Sequence, residues 1–257
     1  WPSCSSSSSS WPLPSPNGRT VGIVSDLWRY PVKSFQGQRD RRAFLGPFGF
    51  LGDRQCVVMD ADNGQPLRAM QVPLLLTYRA TFIDPERGEE VAVVTPEGRH
   101  VRWDDPTLAR EIGDHLDLDL RLVRAPMGMH DILPVQIVTE ASLRQVAEWV
   151  DGDLDRRRFR PGLVVETDDG VAFAETQWPG HRLALGDDAV IEVVVATKQT
   201  RVVSYDPDTM ERTHEVHQVI AQRRENLFGV YCRVVRSGWV AVGDRVAIDP
   251  IPTQPST

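Results

Sequence analysis

The stretch Pro134-Val135-Gln136-Ile137-Val138-Thr139-Glu140-Ala141-Ser142-Leu143 passes from one kind of secondary structure to another without a linker. Val135–Val138 is a short apolar β run. Thr139-Glu140-Ala141-Ser142 then opens a helix to about Val150, with Leu143, Val146, Ala147 and Val150 as its apolar face. Downstream the text is β-rich: Leu163–Glu166, Leu183–Leu185, Val190–Ala196, Arg201–Ser204, Val230–Val235 and Val246–Ile248, interrupted by one helix from Thr213 to Arg224. Gly238 and Gly243-Asp244 punctuate the last strands, as in a barrel returning on itself. Upstream, Val21–Leu27, Arg42–Phe44, Gln55–Asp60, Leu75–Ile83, Val91–Thr95 and His100–Trp103 read as strands, with hairpin turns at Asn63-Gly64 and Glu97-Gly98. A helix from Pro106 to about Leu116, capped by Asp105, and a strand Leu118–Val123 close that half. The expected fold is mostly β with a few α-helices (α+β): two consecutive β-barrel-like domains, residues 21–125 and 126–249. Residues 1–20, with serines Ser5 to Ser10 and prolines Pro2, Pro12, Pro14 and Pro16, read as a disordered leader or tag, and residues 250–257 as a tail.

The chain has 257 residues, 41% hydrophobic and 25% charged, with a formal net charge of −7. That composition excludes collagen-like, intrinsically disordered and disulfide-stapled scaffolds. The acidic balance argues against nucleic acid as a partner, because phosphate-backbone binding needs a basic face. Arg156, Arg157, Arg158 and Arg160 come nearest to a basic tract, but Asp151, Asp153 and Asp155 precede them. A site for one small anion fits better. Cys4, Cys56 and Cys232 form no C-x-x-C pair and read as reduced thiols. There is neither a run of about 18 apolar residues nor a signal-peptide pattern, so a cytoplasmic protein without membrane contact is expected.

Four segments carry chemistry. Tyr30-Pro31-Val32-Lys33-Ser34 follows a strand and offers an ammonium, a hydroxyl and backbone N–H groups in one turn, the donors a phosphate or carboxylate needs. Gly52-Asp53-Arg54 leads into a strand, with Gly64, Arg68 and Pro73 beyond it, and presents a planar guanidinium or a structural Asp53–Arg54 pair. Thr139 and Ser142 stand at a helix start, where free N–H groups favour an anion or where Thr139 simply caps. Arg158-Phe159-Arg160-Pro161 puts two guanidiniums before a buried strand, facing either a ligand or the acids Asp153 and Asp155.

In this order the segments resemble the MOSC family, preceded by its N-terminal β-barrel domain. The resemblance rests on Tyr-Pro-Val-Lys-Ser at 30–34, Gly-Asp-Arg at 52–54, Thr-Glu-Ala-Ser-Leu at 139–143 and Arg-Phe-Arg-Pro at 158–161. Asp-Pro-Asp-Thr at 206–209, Phe-Gly-Val-Tyr at 228–231 and Val-Gly-Asp at 242–244 complete it, over residues 21–249. It implies a molybdenum cofactor, a pyranopterin, held between the two domains, and an oxidoreductase similar to the amidoxime-reducing members, acting on N-hydroxylated small molecules with an electron-donor protein. Molybdenum-ion and pyridoxal phosphate binding are further family expectations. Carried over by position, Lys33, Ser34 and Arg54 grip the cofactor's phosphate and pterin, Thr139 and Ser142 meet it at the helix start, and Arg158 and Arg160 add charged contacts.

One departure matters. Molybdenum-binding members carry a cysteine, usually after an arginine, before Asp-Pro-Asp-Thr. Aligned from Asp206, that position is Thr200 and the arginine becomes Gln199; keeping Arg201 as the arginine puts Val202 there instead. Gly162 also replaces the asparagine that usually follows Arg-Phe-Arg-Pro. Three readings follow: a molybdenum oxidoreductase with Thr200 near the reacting atom, a metal-free small-molecule-binding protein, and a repurposed enzyme with Asp131 or Glu175 as proton carrier. His214 and His217, at i and i+3 on the last helix, are a metal pair without a visible third ligand.

Overall fold

The computed structural model describes residues 18–250; Cys4, most of the expected leader and the expected tail after Pro250 lie outside them. In chain order the first half contains β1 (Arg19–Arg29), β2 (Gln38–Asp40), β3 (Arg42–Gly46), β4 (Gly49–Phe50), β5 (Cys56–Asp60), β6 (Arg79–Phe82), β7 (Val91–Val94), β8 (His100–Arg102), α1 (Pro106–Leu116) and β9 (Leu120–Arg124). The second half contains β10 (Val135–Thr139), α2 (Glu140–Trp149), β11 (Leu163–Thr167), β12 (His181–Leu185), β13 (Ala189–Lys198), α3 (His214–Arg224), β14 (Leu227–Arg236), β15 (Gly238–Ala241) and β16 (Arg245–Pro250). The fold is mostly β: among the described residues 39% are in strands and there are three α-helices.

Seven strands close into a barrel in the order β11-β10-β14-β13-β12-β16-β1, and β1 returns to β11. All pairs are antiparallel except β10 and β11, which run parallel with Ile137 opposite Leu163. Closure removes the free edges that an open sheet would expose. The strand that completes the barrel comes from the first half of the chain: Ile23 of β1 faces Glu166 on one side and Arg245 on the other. Gly22 allows this closeness, since a Cβ there would sit 2.0 Å from the Glu166 carbonyl oxygen. The halves interlock a second time where β15 pairs with β3, Val240 opposite Ala43. The barrel interior accordingly mixes Val24, Leu27 and Leu45 with Ile137, Leu163, Ile191 and Val246.

A second core, with Val32, Phe35, Tyr78, Trp103 and Ile112 at its centre, is enclosed by the β5–β9 pair, the β6-β7-β8 sheet and α1. A third packs α2 and α3 against the barrel's outside through Val146, Phe159, Ile220 and Phe228. Two expected strands are 3₁₀ turns. Pro73–Thr77 turns so that Leu75 and Leu76 are buried, leaving Arg79–Phe82 as the strand, and Arg201–Ser204 turns to bury Val203 and Ser204. The apolar content was read correctly, but a short apolar run does not reveal its own period.

β1 ends at Arg29 in the barrel, and Val32 already belongs to the second core. Arg29 fastens this crossing: its side chain is fully buried and bonds Asp40 Oδ2 at 2.7 Å and the Leu51 and Pro85 carbonyls at 2.8 Å. Each of its nitrogens has an acceptor, which is how a buried guanidinium is ordinarily tolerated.

Candidate anion-binding cleft

Beyond Arg29 the chain is stitched to the Gly-Asp-Arg turn. Arg54 N–H donates to the Tyr30 carbonyl at 2.7 Å, Lys33 N–H to the Cys56 carbonyl at 2.8 Å, and Tyr30 N–H to Asp53 Oδ1 at 2.6 Å. The buried Tyr30 hydroxyl donates to the Pro161 carbonyl at 3.2 Å, which brings in the Arg-Phe-Arg-Pro segment. Both Arg54 and Arg160 then lie against the Tyr30 ring, their guanidinium carbons 4.7 and 4.3 Å from its centroid. Ser34, Arg54 and Arg160 all adopt the left-handed backbone region, at φ 72°, 53° and 52°. Side chains rarely adopt it without compensation, and such strain concentrates at functional sites.

These segments form one wall of a cleft of about 260 Å³ between the second core and the barrel. Six cationic side chains line it, Lys33, Arg54, Arg68, Arg158, Arg160 and Lys198, against one carboxylate, Asp131. Lys33 Nζ donates to Asp131 Oδ1 at 2.7 Å and to the Met129 carbonyl at 3.0 Å. Burial lowers the pKa of Lys33, with the Asp131 hydrogen bond working the other way. Burial pushes Asp131 up, but Lys33 holds it below the usual carboxylate range. Arg54 pairs with Asp53, and Arg158 with Asp206 at 2.9 Å. Arg68, Arg160 and Lys198 have no contact ion pair among the described residues, and although Asp131 attracts Arg68 and Arg160 at longer range, one carboxylate lines the cleft against six cations in a protein of net charge −7. Arg160 is the telling one. Burial lowers its pKa to about 10, and its Nη2 has no hydrogen-bond partner. Arg158 Nε, Gln136 Nε2 and Thr197 Oγ1, all lining the same cleft, also lack partners. Unused donors beside unpaired cations fit an oxyanion.

Of the residues read from the sequence, Lys33, Ser34, Arg54, Arg158, Arg160 and Thr200 are brought together here. The Ser34 hydroxyl is engaged within the chain, donating to the Leu67 carbonyl at 3.3 Å and accepting from Ala69 N–H at 3.0 Å, which carries Arg68 to the cleft. Thr139 and Ser142 are a correction. Both are fully buried, do not line the cleft, and donate to Glu175 Oε2 at 3.0 and 2.9 Å, while Thr139 accepts from Ser142 N–H. The acceptor at this helix start is a side chain of the protein. Arg158 and Arg160 do not face Asp153 or Asp155; Arg157 takes Asp155. Sequence reasoning passed over Gln136, Thr197, Lys198 and Tyr231, which lie on three different barrel strands and meet only on closure.

Residues 21–114 match the MOSC N-terminal beta barrel domain and residues 127–247 the MOSC domain. The chain is a MOSC-domain protein. It is 26% identical to mitochondrial amidoxime reducing component 2 of Homo sapiens, over 92% of this chain and 86% of that protein. It is 25% identical to mitochondrial amidoxime-reducing component 1 of Homo sapiens, over 88% and 82%. Among solved structures, the YUAD protein from Bacillus subtilis superposes with a TM-score of 0.45 at 12% identity, over 90% of this chain and 96% of that one. The N-terminal match begins inside β1, so in three dimensions it contributes a strand to the barrel of the MOSC domain.

The MOSC cleft can be tested against the molybdenum cofactor by its donors. The phosphate-bearing organic part fits the free donors of Arg160 and Gln136. The metal's expected protein ligand does not fit. Thr200 stands exposed at the cleft, Gln199 is turned inward with its amide donating to the Phe228 carbonyl at 2.8 Å, and Val202 lines the wall. Cys56 is buried in the second core and Cys232 in the barrel interior, and neither lines the cleft. A hydroxyl cannot replace a soft thiolate. Among the described residues no group of three or more His, Cys, Asp or Glu side chains is arranged to hold a metal, so His214 and His217 gain no third ligand. No helix among them is long and apolar enough to cross a membrane.

Proposed function

We propose that the cleft binds a small phosphate-bearing molecule of the pyranopterin class, without a thiolate from the chain to a metal. The observation that supports this is Arg160, a half-buried side chain with no ion pair among the described residues and a buried Nη2 whose N–H groups are unused. Arg160 and Arg54 bind the phosphoryl oxygens, the Tyr30 ring orients both guanidiniums, and Lys33 holds a proton and a positive charge at Nζ. Asp131 keeps that ammonium in place. When bound, a molybdenum cofactor would supply two-electron redox chemistry.

Similarity to proteins named as amidoxime reducing components, over about nine-tenths of the chain, favours reduction of amidoximes or related N-hydroxylated compounds, with electrons from a donor protein. Thr200 favours the metal-free alternative, a ligand-binding protein without turnover. Purification from a host that makes the molybdenum cofactor tests these readings together. Oxidative release of bound pterin, read by fluorescence, is expected to give a stoichiometric yield that Arg160→Ala abolishes; absence of pterin from the parent protein refutes the proposal. Elemental analysis of the same sample reads molybdenum, and its absorbance reads pyridoxal phosphate, whose phosphate would meet the same cations. Thr200→Cys is expected to raise molybdenum retention if only the ligand has been lost.

A further inference from the structure

Of the 29 basic residues in the chain only two are lysines, Lys33 and Lys198, and both line this cleft. They belong to different walls. Lys33 stands with Arg54 and Arg160 on the side of the Tyr30 turn. Lys198 ends β13, beside Thr197 and the 3₁₀ turn Arg201–Ser204, to which Arg158 is tied through the Val203 carbonyl and Asp206.

The second wall has an oxyanion's requirements of its own. Thr197 is 2% exposed and its hydroxyl has no partner. The Arg158 side chain is 9% exposed and its Nε is likewise unused. Lys198 has no ion pair among the described residues. Buried donors without acceptors are rare because each forfeits its hydration, so two on one wall beside an unpaired ammonium call for an acceptor from outside. The donors are hydroxyl, guanidinium and ammonium, which suit a carboxylate or phosphate oxygen and not a soft metal. A phosphate held at Arg160 leaves the unused Thr197 hydroxyl and the Lys198 ammonium on the other wall without an acceptor.

We infer that the cleft takes a ligand with two separated anionic groups, a phosphoryl group at Arg160, Arg54 and Lys33 and a carboxylate at Thr197, Lys198 and Arg158. The inference rests on the reading of the cleft as a phosphate-ligand site, and it assigns the wall around Thr200 to an oxyanion.

Calorimetric titration of the full chain at low, fixed ionic strength with propylphosphonate and 3-phosphonopropanoate compares ligands that differ in a terminal carboxylate. Butylphosphonate and 4-phosphonobutanoate repeat the comparison with a longer span. At least one carboxylate-bearing probe is expected to bind roughly ten- to a hundred-fold more tightly than its plain partner, the worth of one charge-assisted contact. Lys198→Ala and Thr197→Val should each reduce that advantage by a larger factor than they reduce alkylphosphonate affinity, and Arg160→Ala should weaken every probe. Lys198 is exposed and Thr197→Val keeps its shape, so neither change threatens the fold. Equal affinities within both pairs, or an advantage untouched by both substitutions, overturn the inference and leave the phosphate reading standing. Absence of binding by all four phosphonates removes the phosphate reading and this inference with it.

Discussion

Arg29, fully buried, and Arg160, half-buried, show what a partner does for a guanidinium withdrawn from water. Arg29 has three acceptors and acts as a structural bolt, whereas Arg160 has the Tyr30 ring and an unused N–H. A half-buried charge with no ion pair and one buried, unused Nη2 costs stability, so ligand-free protein carries Arg160 at a loss. Arg160→Met is therefore expected to stabilise the ligand-free protein by about 1 kcal/mol or more, roughly 2–4 °C in Tm, and to abolish the Tm rise that phosphate gives the parent. A lower Tm in Arg160→Met would mean that the guanidinium is structural. Lys33 makes a pH prediction. Its ammonium is needed for an anion, and burial brings its pKa below the ordinary 10.5, so phosphate affinity should begin to fall at a pH where exposed lysines are still charged. Lys33→Arg keeps the charge throughout and should shift that decline to higher pH, measured by titration between pH 7 and about 10. These cationic residues were legible in the sequence because a proline-broken turn or a strand start next to a cation restricts where its charge can point. Lys198 and Thr197 were not, since nothing local shows which strand ends will meet.

At the scale of elements, the strand-to-helix junction at Thr139 was correctly read as a capped N-terminus and wrongly supplied with a ligand. A helix start attracts an acceptor whatever its source, and here the source is Glu175, 36 residues away. Burial raises the Glu175 pKa above its ordinary 4.5, so the folded protein holds this proton after the unfolded chain has released it. The sign follows: the contribution to stability is complete below the unfolded value of about 4.3 and is lost as pH rises through the folded value. Glu175→Gln keeps an acceptor for Thr139 and Ser142 and cannot ionise. Its Tm should fall less than the parent's as pH rises from about 4.3 towards neutrality, and parallel pH profiles would contradict the raised pKa. Ser142→Ala, which strips one donor from this buried cluster, should cost about 1–3 kcal/mol in denaturant unfolding at any pH in that window.

For the molecule as a whole, the mostly β character was legible from run lengths and turn residues and a site between the two halves was implied by the family resemblance, but the membership of β1 was not legible. Chain order groups Val21–Leu27 with the first half. Its partners β11 and β16 lie more than a hundred residues away, and only closure of the sheet decides the pairing. This interlock keeps the cleft in shape, because Tyr30 and Lys33 follow directly from β1, and the barrel therefore fixes where the first wall stands relative to Lys198 on β13. Residues 127–250 alone lack β1 and the partner of β15, which opens two barrel edges and removes Val21, Val24 and Leu27 from the core. Expressed by itself this segment should aggregate and show no cooperative melting, although it spans the whole match to the MOSC domain. Co-expressed with residues 18–126 it should be recovered as a complex with a single thermal transition, and phosphonate binding should return with that complex. A monomeric, cooperatively melting 127–250 segment would show that the barrel closes without β1, and the two walls of the cleft would then be free to move independently.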